Sequence, residues 1–447
     1  MKEFLSKLND MDRRRFVEYA AKSLLGVSLF STLGRAQAAP PAASPGAPQA
    51  APPDKGAIPA GAITGKAKRL IYLYMSGAMT HIDTFDLKPG HENQGSTRAI
   101  NTSVPGLQIS EYLPTIAQQM QHLAVIRSMS TLTADHEAGE YLMRTSYKSI
   151  ATERHPTLGP WMQTIRGRKN LTLPDTVLIG AAARHPGGGF FDPSFSPLPI
   201  GDPNRGLENT KAPEYLTDES FEKRIKLIDG FDQKFRDKFK VRKVKAYTDY
   251  YSEAISLLTS GDLKAFNLND EKDADRDRYG REPFGQGCLL ARRLIENNVQ
   301  CVEVMLDGWD MHNTIFGGSA LPNRSGILDK AVGNLLKDLH ARNLLSDTLV
   351  VLTTEFGRTP KLNYALGRDH HPAVFSSFLA GGGVKGGQFY GKSDAAAWNV
   401  EDKPVYPADF NATIATALSL PLDKIVHSPT GRPFKVANDG VAIKALL

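Results

Sequence analysis

The chain has 447 residues and a formal net charge of +6. Part of the positive excess sits in three consecutive arginines near the start, Arg13, Arg14 and Arg15, and the rest is dispersed, which excludes a nucleic-acid-binding stripe. Only two cysteines occur, Cys288 in a predicted helix and Cys301 at the start of a predicted strand, which excludes a disulfide framework; two buried free thiols are expected rather than one bridge.

The segment Met11-Asp12-Arg13-Arg14-Arg15-Phe16-Val17 is followed by a modest apolar run, Leu24 to Phe30, and by Ala36-Gln37-Ala38, the order of regions in a signal peptide. The run falls well short of the ~20 apolar residues that cross a bilayer, so no transmembrane segment is expected. Paired arginines with weak apolarity point to export of folded cargo by the twin-arginine translocase, with residues 1–38 as the signal and a periplasmic or secreted destination. An amphipathic N-terminal helix is the alternative. Residues 39–64 are rich in Pro and Ala, bury nothing large, and read as a disordered spacer. Residues 65–447 suit one large α/β domain with insertions.

Within that domain, Leu70 to Met75 is apolar on both faces, as a central parallel strand must be. Similar strands are predicted over 122–127, 176–179, 300–306, 348–354 and 376–380, with helical patterns over 289–298, 327–342 and 410–418. The alternation predicts a mostly parallel sheet covered by helices. Residues from about 211 to 280 are highly charged and helical in pattern, and read as a helical insertion with a solvated face. Ser428 to Phe434 reads as a hairpin or turn at the sheet rim.

Open parallel sheets bind ligands beyond the carboxyl ends of their strands. Three segments qualify: Asp307 to Asn313 after one strand, Glu355 to Pro360 after another, and Gly367 to Pro372 in a loop able to reach them. Together they offer Asp310, His312, Glu355, Asp369, His370 and His371, a mixed oxygen and nitrogen donor set suited to a divalent metal such as zinc, manganese or calcium. Arg358 or Arg368 would steady an anion by a bidentate contact. A lone loop histidine is more often a hydrogen-bonding surface or core residue, so the expectation depends on all three segments converging. Asp135-His136-Glu137 precedes an amphipathic helix; a nucleophile there would gain from the positive end of the dipole, while Thr133 or Asp135 would equally serve as the helix cap. The glycine loop His185 to Phe190 lacks a phosphate-loop lysine and is a weak nucleotide cradle.

Several of these segments together resemble a known family. Met75-Ser76-Gly77-Ala78, Asp83 to Pro89, Arg127-Ser128-Met129 with Asp135-His136-Glu137, His155 to Gly159, Leu290 to Leu294, Gly308 to His312, Thr354 to Thr359 and Arg368 to His371 look like the exported bacterial domain-of-unknown-function family fifteen-oh-one, over nearly all of the chain from Lys68. That family is related to the alkaline phosphatase and sulfatase superfamily, so the resemblance implies a doubly wound α/β sheet, one or two metal ions, and hydrolysis of phosphate or sulfate esters. It places His136, or a neighbouring Ser or Thr, where the superfamily has its nucleophile; with Glu355 as a further ligand or base and Arg358 to steady the anion, His136, Glu355 and Arg358 are the catalytic candidates. It also exposes departures: Glu355-Phe356-Gly357 stands where the superfamily has Asp-His-Gly, and the first strand ends in Met75-Ser76-Gly77 where a metal-binding Asp is usual. One metal site is therefore expected rather than two. The expected function is that of an exported metal-dependent ester hydrolase. The alternative is a catalytically degenerate member that binds an anionic envelope polysaccharide or serves as a structural or assembly protein.

Overall fold

The computed structural model describes residues 65–170, 172–207 and 260–447, with scattered helical residues between 219 and 258. The expected export signal, the Pro/Ala spacer and most of the expected helical insertion lie outside the described residues. The chain divides into two compact units, Met1–Ala57 with Leu207–Tyr247, and Ile58–Gly206 with Thr248–Leu447. The second unit holds the sheet and the candidate site.

Eight strands form one sheet: β1 (Arg69–Met75), β2 (Leu123–Met129), β3 (Thr176–Ile179), β4 (Leu198–Ile200), β5 (Cys301–Leu306), β6 (Thr348–Thr353), β7 (Phe375–Gly381) and β8 (Gln388–Tyr390). Their spatial order is β8-β2-β7-β6-β1-β5-β3-β4. The expected mostly parallel, doubly wound arrangement is present. β7 alone runs antiparallel, to both β6 and β2, while β1 is parallel to β5 and β6. That reversal matters for function, because it brings the residues just before β7 to the same end of the sheet as those just after β6.

Strand alternation divides the core in two. Leu70, Tyr72 and Tyr74 of β1 share a face with their register partners Cys301, Glu303 and Met305 of β5. All but Glu303 pack into a cluster that includes Met143 of α1 (His136–Thr145), Trp161 and Met162 of α2 (Leu158–Arg166), and Phe410 and Ile414 of the C-terminal helix Pro407–Ala417. On the other face, α3 (Pro283–Glu296) lies so close to β5 that a Cβ on Gly287 would come within 2.8 Å of Val304. Each large side chain fully buried in this way stabilises the fold by roughly 1.5–3 kcal/mol. Beyond α3, α4 (Ala320–Ala341) is tied to the short helix Asp273–Tyr279 by the Arg278 to Asp338 ion pair at 2.9 Å. Part of the charged run is thus clamped rather than solvated.

Cys288 and Cys301 are both free and buried, and burial pushes both thiols up. The expected C-terminal hairpin is present as Val426–His427 paired with Pro433–Phe434. Among the described residues, no helix is long and apolar enough to cross a membrane.

Candidate metal centre

The carboxyl ends of β6, β1 and β5 lie side by side at the middle of the sheet, and the site forms there. β5 ends at Leu306 and the chain continues into Asp310 and His312; β6 ends at Thr353 and continues into Glu355 and Arg358. β2 ends at Met129 opposite Phe375 of β7, so the loop that leaves it delivers His136 to the same place. Asp135 caps α1, accepting from the Ala138 amide at 2.9 Å, and His136 is the first helical residue.

His370 arrives on a two-residue strand, His370–His371, paired antiparallel with Gly357–Arg358. Adjacent strand residues point to opposite sides, and that separates the two histidines. The His370 ring sits 4.5 Å from that of His136 and 4.8 Å from that of His312. The His371 Nε2 instead donates to the Trp398 carbonyl at 2.6 Å, away from the cluster.

Three imidazoles converge on one carboxylate oxygen. Asp310 Oδ1 lies 3.0 Å from His312 Nε2, 3.3 Å from His370 Nε2 and 3.5 Å from His136 Nε2. The other nitrogen of each ring faces an acceptor: His136 Nδ1 meets Glu355 Oε1 at 2.7 Å, His312 Nδ1 meets Asp369 Oδ1 at 2.9 Å, and His370 Nδ1 meets the Ala134 carbonyl at 2.7 Å. Since carbonyl and carboxylate oxygens only accept, each Nδ1 donates to its acceptor, and Nε2 is the nitrogen left facing Asp310. This is how imidazoles are oriented around a metal.

His136 Nε2 is buried and has no hydrogen-bond partner among the described residues. A buried polar atom in this state calls for a partner such as water or an ion. His136, Asp310 and His370 together offer three donor atoms within 4.8 Å of one another. His312 adjoins them, with its Nε2 3.1 Å from His370 Nε2. The donor set is rich in nitrogen, which suits zinc and similar borderline ions and disfavours calcium.

Glu355 stands behind this cluster. It is wholly buried; Oε1 accepts from the Gly77 amide at 2.8 Å as well as from His136, and Oε2 accepts from the Tyr74 hydroxyl at 3.1 Å and the Thr354 hydroxyl at 3.0 Å. Phe356, which takes the place of an expected imidazole, is buried with its ring 5.0 Å from His136 and 4.9 Å from His370. It walls the cluster from behind.

Arg358 is buried too, and its five N–H groups are engaged. They reach the carbonyls of Ala78, Gly77 and Arg368, the Asp310 carboxylate and His312 Nε2. Arg368 is equally committed, in a buried pair with Asp83 at 2.7 Å and to the carbonyls of Thr359, Pro360 and Asn93. Asp83 is thereby held away from the imidazole cluster.

The charges follow from these contacts. Desolvation is the largest influence on Asp310 and pushes it up, but Arg358, then His370 and His136, outweigh it and hold the carboxyl down to about 2. His136 is raised, first by its hydrogen bond to Glu355, against desolvation. The His312 contact, then Asn363, lowers Asp369.

A cleft of about 300 Å³ opens beside His136 and Asp310, lined also by Ser76, Glu140, Arg184, His185 and Asp307. Beneath it runs a buried chain of contacts: the ion pairs Arg144 to Glu303 at 2.8 Å and Arg144 to Glu140 at 3.5 Å, and the hydrogen bond of His185 to Glu303 at 2.9 Å. The sequence-based reading missed these residues. Two signals were present: Glu303 is a lone carboxylate inside an apolar strand, and His136, Glu140 and Arg144 recur every four residues on one helix face. The glycine run after His185 is also not a loose loop, since a Cβ on Gly189 would fall 2.3 Å from the Pro156 nitrogen.

The model of the family described as protein of unknown function (DUF1501) matches residues 67–447. The chain belongs to DUF1501. No curated protein matches this DUF1501 chain. Among solved structures it is similar to a protein in the alkaline phosphatase superfamily from Vibrio parahaemolyticus, at 10% identity and a TM-score of 0.41 over 87% of this chain and 72% of that one. It is similar also to the lipoteichoic acid synthase LtaP from Listeria monocytogenes, at 9% identity and a TM-score of 0.40 over 82% and 76%. The TAB5 alkaline phosphatase, solved as a mutant with Mg bound, matches at 13% identity and a TM-score of 0.37 over 80% and 99%.

Proposed function

We propose that this DUF1501 chain is a metal-dependent hydrolase of phosphate or sulfate esters, built around one divalent ion held by His136, Asp310 and His370 with His312 at its edge. The observation that carries this reading is the set of three imidazoles, each fixed through Nδ1 and presenting Nε2 toward Asp310 Oδ1. A zinc-like ion there would supply Lewis acidity, polarising an ester oxygen and lowering the pKa of water.

The protein's own groups divide the remaining work. Glu355 orients His136 and is not itself a ligand, because its oxygens are already shared among four donors. Asp369 and the Ala134 carbonyl orient His312 and His370. Arg358 positions Asp310 and the turn after β1 and has no N–H left for a substrate. The anionic end of the substrate would lie in the cleft beside Asp310, where Arg184 is half exposed and retains donors for it. The twin-arginine segment is proposed to deliver this domain, folded and loaded, to the periplasm.

The test is metal content by plasma mass spectrometry on the purified full chain, together with turnover of para-nitrophenyl phosphate and sulfate. Zinc or a similar ion near one per chain, with hydrolysis lost on chelation and restored by the ion, is expected. Absence of bound ion after incubation with zinc and manganese, with no rise in Tm, would overturn the reading.

A further inference from the structure

β1 ends in a turn that is unusual in its backbone and in its fastening. Gly77 and Ala78 both have positive φ, 106° and 63°, and a non-glycine residue in that region costs energy that the surroundings must supply. The turn is held by site residues: Arg358 Nε donates to the Ala78 carbonyl at 3.0 Å and the Gly77 amide donates to Glu355 at 2.8 Å. A Cβ on Gly77 would lie 2.5 Å from the Asp310 nitrogen, and the Trp309 amide donates to the Ser76 carbonyl at 3.2 Å. Ser76 is thus set against the Asp310 loop and lines the cleft.

The Ser76 hydroxyl donates to Glu140 Oε1 at 3.1 Å, and both residues are buried, at 8% and 3% exposure. Satisfying a buried carboxylate would be reason enough for a serine, but not for placing it on a strained turn facing a cleft shared with His136 and Asp310. Arg184 adds the third part, reaching Glu140 Oε1 at 3.9 Å from the cleft wall with its side chain 52% exposed. Nucleophile, base and anion-binding cation therefore meet at one point, the arrangement that activates a hydroxyl. Burial, opposed by Arg144, raises Glu140, which strengthens it as a proton acceptor.

We propose that Ser76 is the covalent nucleophile of this site, with Glu140 as its base and Arg184 as the cation that docks the ester's anionic group. The substrate class rests on the hydrolase reading above; the roles of the serine and carboxylate do not. In the first step the Ser76 Oγ attacks phosphorus or sulfur. The new O–P or O–S bond forms, the bond to the ester oxygen breaks, the Oγ proton passes to Glu140, and the departing oxygen takes a proton from solvent. In the second, water attacks the seryl ester and releases one proton to solvent, while the departing Oγ recovers its proton from Glu140. The net change is ester plus water to alcohol plus phosphate or sulfate.

The experiment is labelling of the full chain with an alkyl fluorophosphonate, in which attack by Oγ expels fluoride and leaves a stable adduct. Peptide mapping is expected to place one adduct per chain on Ser76, with none there in Ser76→Ala. Glu140→Gln should be labelled on the order of a hundredfold more slowly. The wild-type map decides the matter whether or not either variant folds: an unlabelled Ser76 overturns the proposal. Hydrolysis of para-nitrophenyl phosphate by Ser76→Ala at the wild-type rate also overturns it, and leaves the metal-dependent reading standing. Labelling of Ser76 in a chain that turns over no ester supports the nucleophile and base and overturns the ester class.

Discussion

His136 Nδ1 lies 2.7 Å from Glu355 Oε1, across 219 positions of sequence, and this single contact fixes which ring nitrogen faces Asp310. Replacing Glu355 by Gln keeps the shape but removes the ionised acceptor and turns an amide toward the Tyr74 and Thr354 hydroxyls. Zinc affinity by isothermal titration is expected to fall roughly 10- to 100-fold, and stability by about 1–3 kcal/mol. Unchanged affinity would show that the imidazole is oriented by something else.

The opposed directions of His370 and His371 give a second, sharper contrast. Asp310→Ala and His370→Ala are expected to abolish bound metal on the purified chain. His371→Ala is expected to keep the wild-type stoichiometry, because its Nε2 is committed to the Trp398 carbonyl. Loss of metal in His371→Ala alone would reverse the assignment.

Gly77 and Gly90 both have positive φ, 106° and 87°, but only Gly77 is crowded, by Asp310 and Trp309 backbone atoms at 2.5–3.0 Å; around Gly90 nothing lies within 4 Å. Gly90→Ala should therefore cost only backbone strain, about 1 kcal/mol. Gly77→Ala adds a clash with immovable backbone and should exceed it by a further ~1–3 kcal/mol in urea unfolding. Equal costs would mean that the turn relaxes freely.

Glu303 sets an acid limit on stability. Desolvation is its largest influence and pushes it up, but Arg144 and His185 together bring it from 4.5 down to about 2. A carboxylate whose folded pKa is depressed contributes stability that is fully present above the unfolded value and is lost as pH falls through the folded one. Stability should thus decline between pH 4.5 and about 2, the interval bounded by those two values. Glu303→Gln should flatten that decline while costing roughly 3 kcal/mol at neutral pH, the low end for a broken buried pair, because Glu140 stays beside the buried Arg144. An acid limb of unchanged slope in Glu303→Gln would assign the loss to other groups.

Much of the fold was legible because local pattern and burial coincide. Strands apolar on both faces, such as Leu70 to Met75 and Thr348 to Thr353, announce a covered parallel sheet, and the residues after them fall at its carboxyl edge by geometry alone. Asp310, His312 and Glu355 could be picked out on that rule, and His370 only as part of a loop able to reach them. The sequence could not give β7 its antiparallel direction, since strand direction depends on which neighbours pair, yet that direction is what carries His370 to the cluster. Nor could it separate His370 from His371, whose opposite facings come from the pleat of a two-residue strand paired with Gly357–Arg358. Residue types were enough to nominate donors to a metal. Tertiary structure assigned Glu355 a place behind His136, closed Arg358 and Arg368 inside the protein, and set Ser76 against Glu140, because hydrogen-bond partners hundreds of residues apart are chosen only when the chain packs.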